Sequence, residues 1–349
     1  MTVRVGINGF GRIGRNFYRA SMNDPALDIV AVNDGGTMEK IAHLLKYDSA
    51  HGRLGATVTP GDRSLTVDED TFAVMSNRDP SQLRWGDFGV NVVVEATGAF
   101  RDRQSAGAHL SRGVQKVIIT APAQCDATIV AAVNGDHYRP DKHHVISAAS
   151  CTTNCLVTML QVLQLKFGIR SGMLTTVHAY TGDQAIVDGS HLDLRRGRAA
   201  AANVVPTSTG AARAVGEVLP ELAGRLDGVA MRVPVLNGSI CDFVGVLEHD
   251  VTAAEVNAAF LEAACGGPLA NVLEYSEEPL VSSDIIGSPA SCTLDAELTM
   301  SYGGMIKILG WYDNEWGYSC RVADLVHLVM GSPSVLDEDS PRSLVEVTP

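Results

Sequence analysis

The stretch Val3-Arg4-Val5-Gly6-Ile7-Asn8-Gly9-Phe10-Gly11-Arg12-Ile13-Gly14 decides the fold. A β-branched run ends in G-x-G-x-x-G and opens onto a helical stretch. On its own the glycine pattern is weak. Here a second apolar run, Ile29 to Asn33, follows and ends at Asp34, 20 residues past Gly14. Strand, glycine turn, helix and acidic residue together make a dinucleotide-binding fingerprint. Gly9, Gly11 and Gly14 let backbone amides reach a pyrophosphate at a helix N-terminus, where the helix dipole favours anions. Asp34 is placed to bind the adenosine ribose hydroxyls and to repel a 2′-phosphate. The plainer alternative is a turn that only packs helix on strand; the context favours a binding site.

Working outward, Val90 to Glu95, Lys116 to Thr120 and His144 to Ser147 are further candidate strands. Several of these runs are apolar throughout, as strands buried on both faces require. The βαβ rhythm predicts an α/β fold with a parallel, doubly wound sheet over roughly the first 150 residues. Beyond them the character changes. Leu156, Met159, Leu160 and Leu163 predict one apolar helix face over Thr152 to Phe167, capped by Ser150 and ended by Gly168. Longer strands are predicted at Gly172 to His178, Val229 to Val235, Ile240 to Leu247, Thr293 to Met300 and Met305 to Trp311. Their spacing favours a mixed or antiparallel sheet. The helix-poor stretch Tyr180 to Asn203 is long enough to expect a function of it. A final helix is predicted over Gly317 to Met330, and the Ser-, Pro- and acid-rich residues from Gly331 on read as a disordered tail.

Composition sets limits. The 349 residues carry 27 Lys+Arg and 40 Asp+Glu, a formal net charge of −13. That length suggests two domains. The acidic balance argues against nucleic acid or an anionic membrane as main partner, because repulsion opposes encounter. It leaves room for a small anionic substrate held by local arginines. No apolar run reaches the roughly 18 residues of a membrane span. The N-terminus runs straight into a strand pattern without a signal peptide, and seven cysteines are an odd number. Both point to a reducing cytoplasm and free thiols.

Ser150-Cys151-Thr152-Thr153-Asn154-Cys155 stands where a strand should meet a helix. A thiol at a helix N-terminus is expected to have a lowered pKa, so that more of it is the reactive thiolate. A small buried apolar cysteine is the plain alternative. Cys151 and Cys155 are four apart, yet no His or Cys partner stands at zinc spacing, so no metal is expected. His178 ends an apolar strand and could take the thiol proton and later act as general acid and base. Arg195, Arg196 and Arg198 concentrate positive charge. Thr207-Ser208-Thr209-Gly210 opens another helix, where hydroxyls and amides suit an oxyanion. Arg232 lies inside an apolar strand, where a charge is costly unless paired. Two anion pockets beside a thiol would suit a phosphorylated substrate and a second phosphate.

These residues carry a resemblance. From end to end apart from the tail, the chain resembles the phosphorylating glyceraldehyde-3-phosphate dehydrogenases. The matching segments are G-I-N-G-F-G-R-I-G-R at the N-terminus, A-S-C-T-T-N-C around Cys151, H-A-Y-T-G-D-Q from His178, D-L-R-R from Asp193, P-T-S-T-G-A-A from Pro206 and W-Y-D-N-E-W-G-Y from Trp311. The resemblance implies a Rossmann-type dinucleotide domain over residues 1–150, completed by a C-terminal helix at 317–330. It implies an α+β catalytic domain over 151–316, with 331–349 a tail. It implies a glycolytic oxidoreductase that uses NAD, glyceraldehyde 3-phosphate and inorganic phosphate, with a cysteine thioester as intermediate. Cys151 would be the nucleophile and His178 its base. Thr181, Arg196 and Arg232 would hold the substrate phosphate. Ser150, Thr152, Thr209 and Gly210 would serve the attacking phosphate, with Arg196 shared. Arg12, Ile13, Asp34, Arg78, Thr120 and Asn314 would contact the cofactor, Asn314 orienting the nicotinamide amide. Members are usually cytoplasmic homotetramers, with the loop Tyr180 to Asn203 near a neighbour's cofactor site.

The chain departs from the family pattern at Ala148, where Asn is common, at Val157 and Thr158, where a small residue and Pro are usual, and at Leu236 for Pro. Their grouping near the thiol suggests a specialised isozyme with altered sensitivity to electrophiles. Gly189-Ser190 before His191, and Asp34-Gly35-Gly36-Thr37, look like those of NADP-accepting relatives, whereas Asp34 disfavours a 2′-phosphate; NAD is the expected cofactor and NADP a second. The alternatives are an erythrose-4-phosphate dehydrogenase, a non-phosphorylating aldehyde dehydrogenase, and a binding protein that keeps the fold without activity. The T-S-T-G motif argues against the second and the Cys151–His178 pair against the third.

Overall fold

The computed structural model describes residues 2–332. The predicted tail therefore lies outside the described residues beyond Ser332. The chain forms two compact units. One runs to Ala149 and takes up the chain again from Ser319; the other is Ser150–Tyr318.

The first unit is built on a nine-stranded sheet. Its strands are β1 (Val3–Asn8), β2 (Leu27–Asn33), β3 (Val58–Pro60), β4 (Ser64–Val67), β5 (Asp70–Met75), β6 (Val92–Glu95), β7 (Lys116–Ile119), β8 (Ala127–Thr128) and β9 (Val145–Ser147). They lie in the order β8-β9-β7-β6-β1-β2-β5-β4-β3. Pairing is parallel from β8 through β5, and β4 and β3 add an antiparallel edge. Val5, Ile7, Val92, Val93, Val94, Val117 and Ile118 are fully buried, which is why these strands read as unbroken apolar runs. The antiparallel edge was not predicted. Its strand Ser64–Val67 alternates half-buried and buried residues, a period of two too short to stand out. Helix α1 (Arg12–Ser21) follows β1, and α2 (Met38–Lys46) follows β2.

The second unit holds a seven-stranded mixed sheet. Its strands are β10 (Ile169–Ala179), β11 (Val205–Ser208), β12 (Leu226–Val233), β13 (Ser239–Leu247), β14 (Leu273–Ser276), β15 (Cys292–Tyr302) and β16 (Met305–Tyr312), in the order β11-β12-β10-β13-β16-β15-β14. β10 pairs with β12 and β14 with β15 in parallel; the other pairs are antiparallel. Helix α3 (Cys151–Phe167) packs on this sheet, beside α4 (Ala211–Val218) and α5 (Ala253–Cys265). The last helix is α6 (Trp316–Met330). One apolar face was expected of α3. Instead Cys155, Val157, Thr158 and Val162 are buried as well as Leu156, Met159, Leu160 and Leu163. A helix covered by sheet and helices together needs an apolar surface most of the way round.

Candidate active site and dinucleotide cradle

The cradle belongs to the first unit. Gly9 follows β1 with φ +90°, and a Cβ there would sit 2.7 Å from the backbone nitrogen of Thr97. A Cβ on Gly14 would sit 2.2 Å from the carbonyl oxygen of Gly9. Both glycines let the chain pack on itself. Gly11 differs: a Cβ there would meet nothing within 4 Å. Its missing side chain leaves open room in front of the N-terminus of α1, the place the fingerprint assigns to a pyrophosphate. The residues present fit a dinucleotide.

Asp34 lies just past β2, and its carboxylate accepts the Phe10 N–H (3.0 Å) and the Gly36 N–H (2.7 Å). It is thereby pinned against the glycine turn. Arg12 and Ile13 are the first two residues of α1. The Arg12 guanidinium binds the Asp48 carboxylate through both Nη1 and Nη2. Its charge is thus engaged within the protein, and what it can offer a cofactor is its backbone at the helix start. Burial would raise the Asp48 pKa, but the Arg12 hydrogen bond and charge with the His51 and Ala50 amides outweigh it and bring it down to about 2. Arg78 is exposed. Thr120 is half-buried just past β7, its hydroxyl on the Glu95 carbonyl at 3.1 Å.

A buried polar chain that the sequence did not reveal lies beneath the turn. Trp85 Nε1 donates to His109 Nδ1 (3.0 Å), so the remaining His109 proton sits on Nε2 and points to Glu95 (3.1 Å). Glu95 also accepts from Asn8 and from the amide and hydroxyl of Thr97. This carboxylate holds Thr97 in the position against which Gly9 packs.

The thiol site lies in the second unit. Ser150 caps α3, its Oγ accepting the Thr153 N–H at 3.0 Å. Cys151 is the first helical residue, and its Sγ lies 3.4 Å from His178 Nε2. His178 stands near the end of β10, in register with Arg232 on the parallel strand β12. His178 Nδ1 is 2.7 Å from the Ala179 carbonyl and 2.8 Å from Arg232 Nη1, which donates to the same carbonyl at 3.1 Å. Arg232 Nη1 can only donate, so it meets His178 Nδ1 when that nitrogen is unprotonated, whereas a proton on Nδ1 goes to Ala179 O; the second tautomer is the one that leaves the Nε2 lone pair for the thiol proton. The Tyr312 ring meets the imidazole edge-on at 6.0 Å, and its hydroxyl joins Thr152 and Thr176, each at 2.9 Å. Tyr312 thus fixes the helix start and the imidazole together.

One expectation needs correction. The helix N-terminus was expected to lower the Cys151 pKa. Burial wins instead and pushes the thiol up to about 11, against the pull of Arg232 and of the Thr152 amide and hydroxyl. Burial and the Arg232 charge push His178 down to about 3. Burial thus opposes charge on both groups, and Sγ and Nε2 lie close enough to exchange the thiol proton.

The anion-binding candidates fall in two states. Arg232 Nε is buried without a hydrogen-bond partner, and no carboxylate lies within ion-pair distance of this guanidinium among the described residues. A half-buried cation without a counter-ion suits an incoming anion. The basic cluster on the long loop is mostly neutralised: Arg196 pairs with Asp183 (2.5 Å) and lies near Asp193, and Arg198 pairs with Asp188. Arg196 Nε also donates to Thr207 Oγ1 (2.9 Å) on β11, so loop and strand are tied. Thr209 accepts the Ala211 N–H, and Gly210 is the cap residue of α4. Thr181 is half-buried, its N–H on Gln184. Ser150 and Thr152 both spend hydroxyl bonds on the fold, the first on Thr153 and the second on Tyr312. Asn314 is buried just past β16, its Oδ1 taken by Ser239. Among the departures, Ala148, Val157 and Thr158 are buried and Leu236 is exposed. Thr158 Oγ1 returns to the Asn154 carbonyl (2.8 Å), one turn back, where a proline ring would crowd that oxygen.

Comparison with known proteins points to one family over most of the chain. Residues 3–103 match the family model described as glyceraldehyde 3-phosphate dehydrogenase, NAD binding domain, and residues 150–314 match that of its C-terminal domain. The glyceraldehyde-3-phosphate dehydrogenase of Streptomyces coelicolor is 56% identical over 332 residues, covering 94% of this chain and 99% of its own. That of Geobacillus stearothermophilus is 57% identical over 327 residues, covering 93% and 97%. Glyceraldehyde-3-phosphate dehydrogenase 1 of Bacillus subtilis is 56% identical over 327 residues, again covering 93% and 97%. With the glycine turn, the pinned Asp34 and the thiol–imidazole pair in one chain, the chain belongs to the glyceraldehyde-3-phosphate dehydrogenase family.

Proposed function

We propose that the chain converts glyceraldehyde 3-phosphate, phosphate and NAD to 1,3-bisphosphoglycerate and NADH, with Cys151 and His178 as the catalytic pair. The observation that carries these roles is the 3.4 Å contact between Cys151 Sγ and His178 Nε2 in a half-buried site beside Arg232. His178 Nε2 takes the thiol proton as Sγ attacks the aldehyde carbon and hands it to the carbonyl oxygen, which gives the neutral hemithioacetal and frees Nε2 again. Next His178 removes the hydroxyl proton of that adduct, and NAD supplies the acceptor for the hydride. The thioester left on Cys151 is attacked by inorganic phosphate, Sγ leaves, and the acyl phosphate is released. Arg232, with Thr181 and Arg196, holds the phosphate of the substrate. Thr209 and Gly210 at the start of α4, with Ser150 and Thr152, serve the attacking phosphate. Arg12, Ile13, Asp34, Arg78 and Thr120 contact the cofactor from the first unit, and Asn314 orients its carboxamide. A pinned Asp34 carboxylate repels a 2′-phosphate, so kcat/KM is expected to favour NAD over NADP; a preference for NADP would reverse that assignment.

The protein is proposed to work in the cytoplasm as a homotetramer. On the long loop Ile186, Val187, Leu192 and Leu194 are exposed, which suits burial by neighbouring subunits. No helix among the described residues is long and apolar enough to cross a membrane. The departures at Ala148, Val157 and Thr158 sit on the backbone that carries Cys151. A changed rate of inactivation by a small epoxide, relative to a standard-motif enzyme, is the expected mark of a specialised isozyme, and equal rates would remove that reading. The reaction itself is tested by product formation with and without phosphate, in the wild type and in Cys151→Ser.

A further inference from the structure

We propose that Ser239 is a positioning residue that fixes which atom of Asn314 faces the nicotinamide. The inference rests on the reading of Asn314 as the residue that holds the nicotinamide carboxamide. Ser239 opens β13 and is buried, as is Asn314. The Ala179 N–H donates to Ser239 Oγ at 3.0 Å. Ser239 Oγ in turn lies 2.7 Å from Asn314 Oδ1. A hydroxyl has one proton, and a backbone N–H cannot accept it, so that proton goes to Asn314 Oδ1. A flipped amide would put its nitrogen there and leave the buried Ser239 proton without an acceptor, which is costly.

The orientation of the Asn314 amide is therefore set. Oδ1 is occupied, and Nδ2 faces away from Ser239 with no partner among the described residues. An amide held in this way offers donors. It selects a carbonyl oxygen, which assigns the carboxamide oxygen of the nicotinamide, not its NH2 group, to Asn314. The same residue, Ala179, serves the proton-transfer side as well. Ala179 gives its N–H to Ser239, and its carbonyl meets His178 Nδ1 and Arg232. One buried serine thus lies between the group that orients the hydride acceptor and the group that moves the proton.

The test measures binding, not turnover. Dissociation constants are taken by calorimetry for NAD, for ADP-ribose, which lacks the nicotinamide, and for 3-acetylpyridine adenine dinucleotide, which keeps the carbonyl but replaces NH2 by methyl. The proteins are the wild type, Ser239→Ala, Ser239→Thr and Asn314→Ala. Wild type should bind the acetylpyridine analogue within about threefold of NAD. Ser239→Ala should weaken NAD about five- to tenfold, the size of one net hydrogen bond, and leave ADP-ribose unchanged. Ser239→Thr, which keeps the hydroxyl, should restore NAD binding. Unchanged NAD binding in Ser239→Ala would overturn the proposal, as would an equal loss for ADP-ribose or failure of the threonine to restore it. So would a wild type that discriminates strongly against the analogue, because Oδ1 would then face the NH2 group. If Asn314→Ala also leaves the ratio of NAD to ADP-ribose affinity unchanged, the reading of Asn314 itself fails and the inference falls with it.

Discussion

Gly11 and Gly14 stand three residues apart and are glycine for different reasons. A Cβ at Gly14 would be 2.2 Å from Gly9 O, whereas one at Gly11 meets open space. Gly14→Ala should therefore destabilise the first unit by about 2–4 kcal/mol, as forced overpacking does. Gly11→Ala should leave the melting temperature nearly unchanged and weaken ADP-ribose binding at least about tenfold, a loss of about 1.4 kcal/mol or more. Thermal melts and a binding titration on both variants separate the two roles. Asp48 makes a pH prediction. Its pKa is held at about 2, below the ordinary 3.8, so its contribution is present above pH 3.8 and is lost as pH falls toward 2. Asp48→Asn should cost about 1–2 kcal/mol at pH 7, allowing for solvent around the half-exposed Arg12, and the gap should close below pH 3 in denaturant unfolding. The candidate pair was legible in the sequence because each residue stands in a local pattern: Cys151 after a capping serine, His178 near a strand end. Tyr312, Ser239 and the Glu95–His109 pair were not, because their meaning lies in partners far along the chain. Tyr312 meets Thr152 across 160 positions and Ser239 meets Asn314 across 75.

At the scale of elements, the buried parallel strands and the helix behind Cys151 were readable from apolar runs and capping chemistry. The antiparallel edge at Val58 to Met75 and helix α5 were not, since short half-exposed strands carry little periodic signal. The parallel partnership of β10 and β12 also escaped, although it is what sets Arg232 beside His178. Spacing along a chain does not reveal strand order when a long loop and a helix intervene. The contact between α3 and β16 gives a sharp prediction. A Cβ on Gly310 would lie 2.6 Å from both Cys292 Sγ and Met159 Sδ, and 3.4 Å from Cys155 Sγ. Gly310→Ala should lower stability by about 1–3 kcal/mol through overpacking. Adding Cys292→Ala should recover part of the loss, since it removes one of the colliding sulfurs. A double-mutant cycle by chemical denaturation measures that coupling; strict additivity would mean that these groups do not crowd one another.

At the scale of the whole molecule, two units divide the labour. The first holds a glycine turn shaped for a dinucleotide, and the second holds a half-buried thiol, an imidazole beside it and a guanidinium without a carboxylate partner among the described residues. The acidic surface fits a protein whose anion recognition is confined to a few internal arginines. The exposed loop residues predict assembly. Light scattering should give about four times the 37.0 kDa of one chain, and Leu192→Asp with Leu194→Asp should reduce that mass. The most direct test of the account is NADH formation from glyceraldehyde 3-phosphate with and without inorganic phosphate, in the wild type and in Cys151→Ser. The account predicts steady turnover only when phosphate is present, and loss of at least about a thousandfold in the variant, as removal of a covalent nucleophile produces. Turnover that ignores phosphate, or that survives the loss of the thiol, would contradict it.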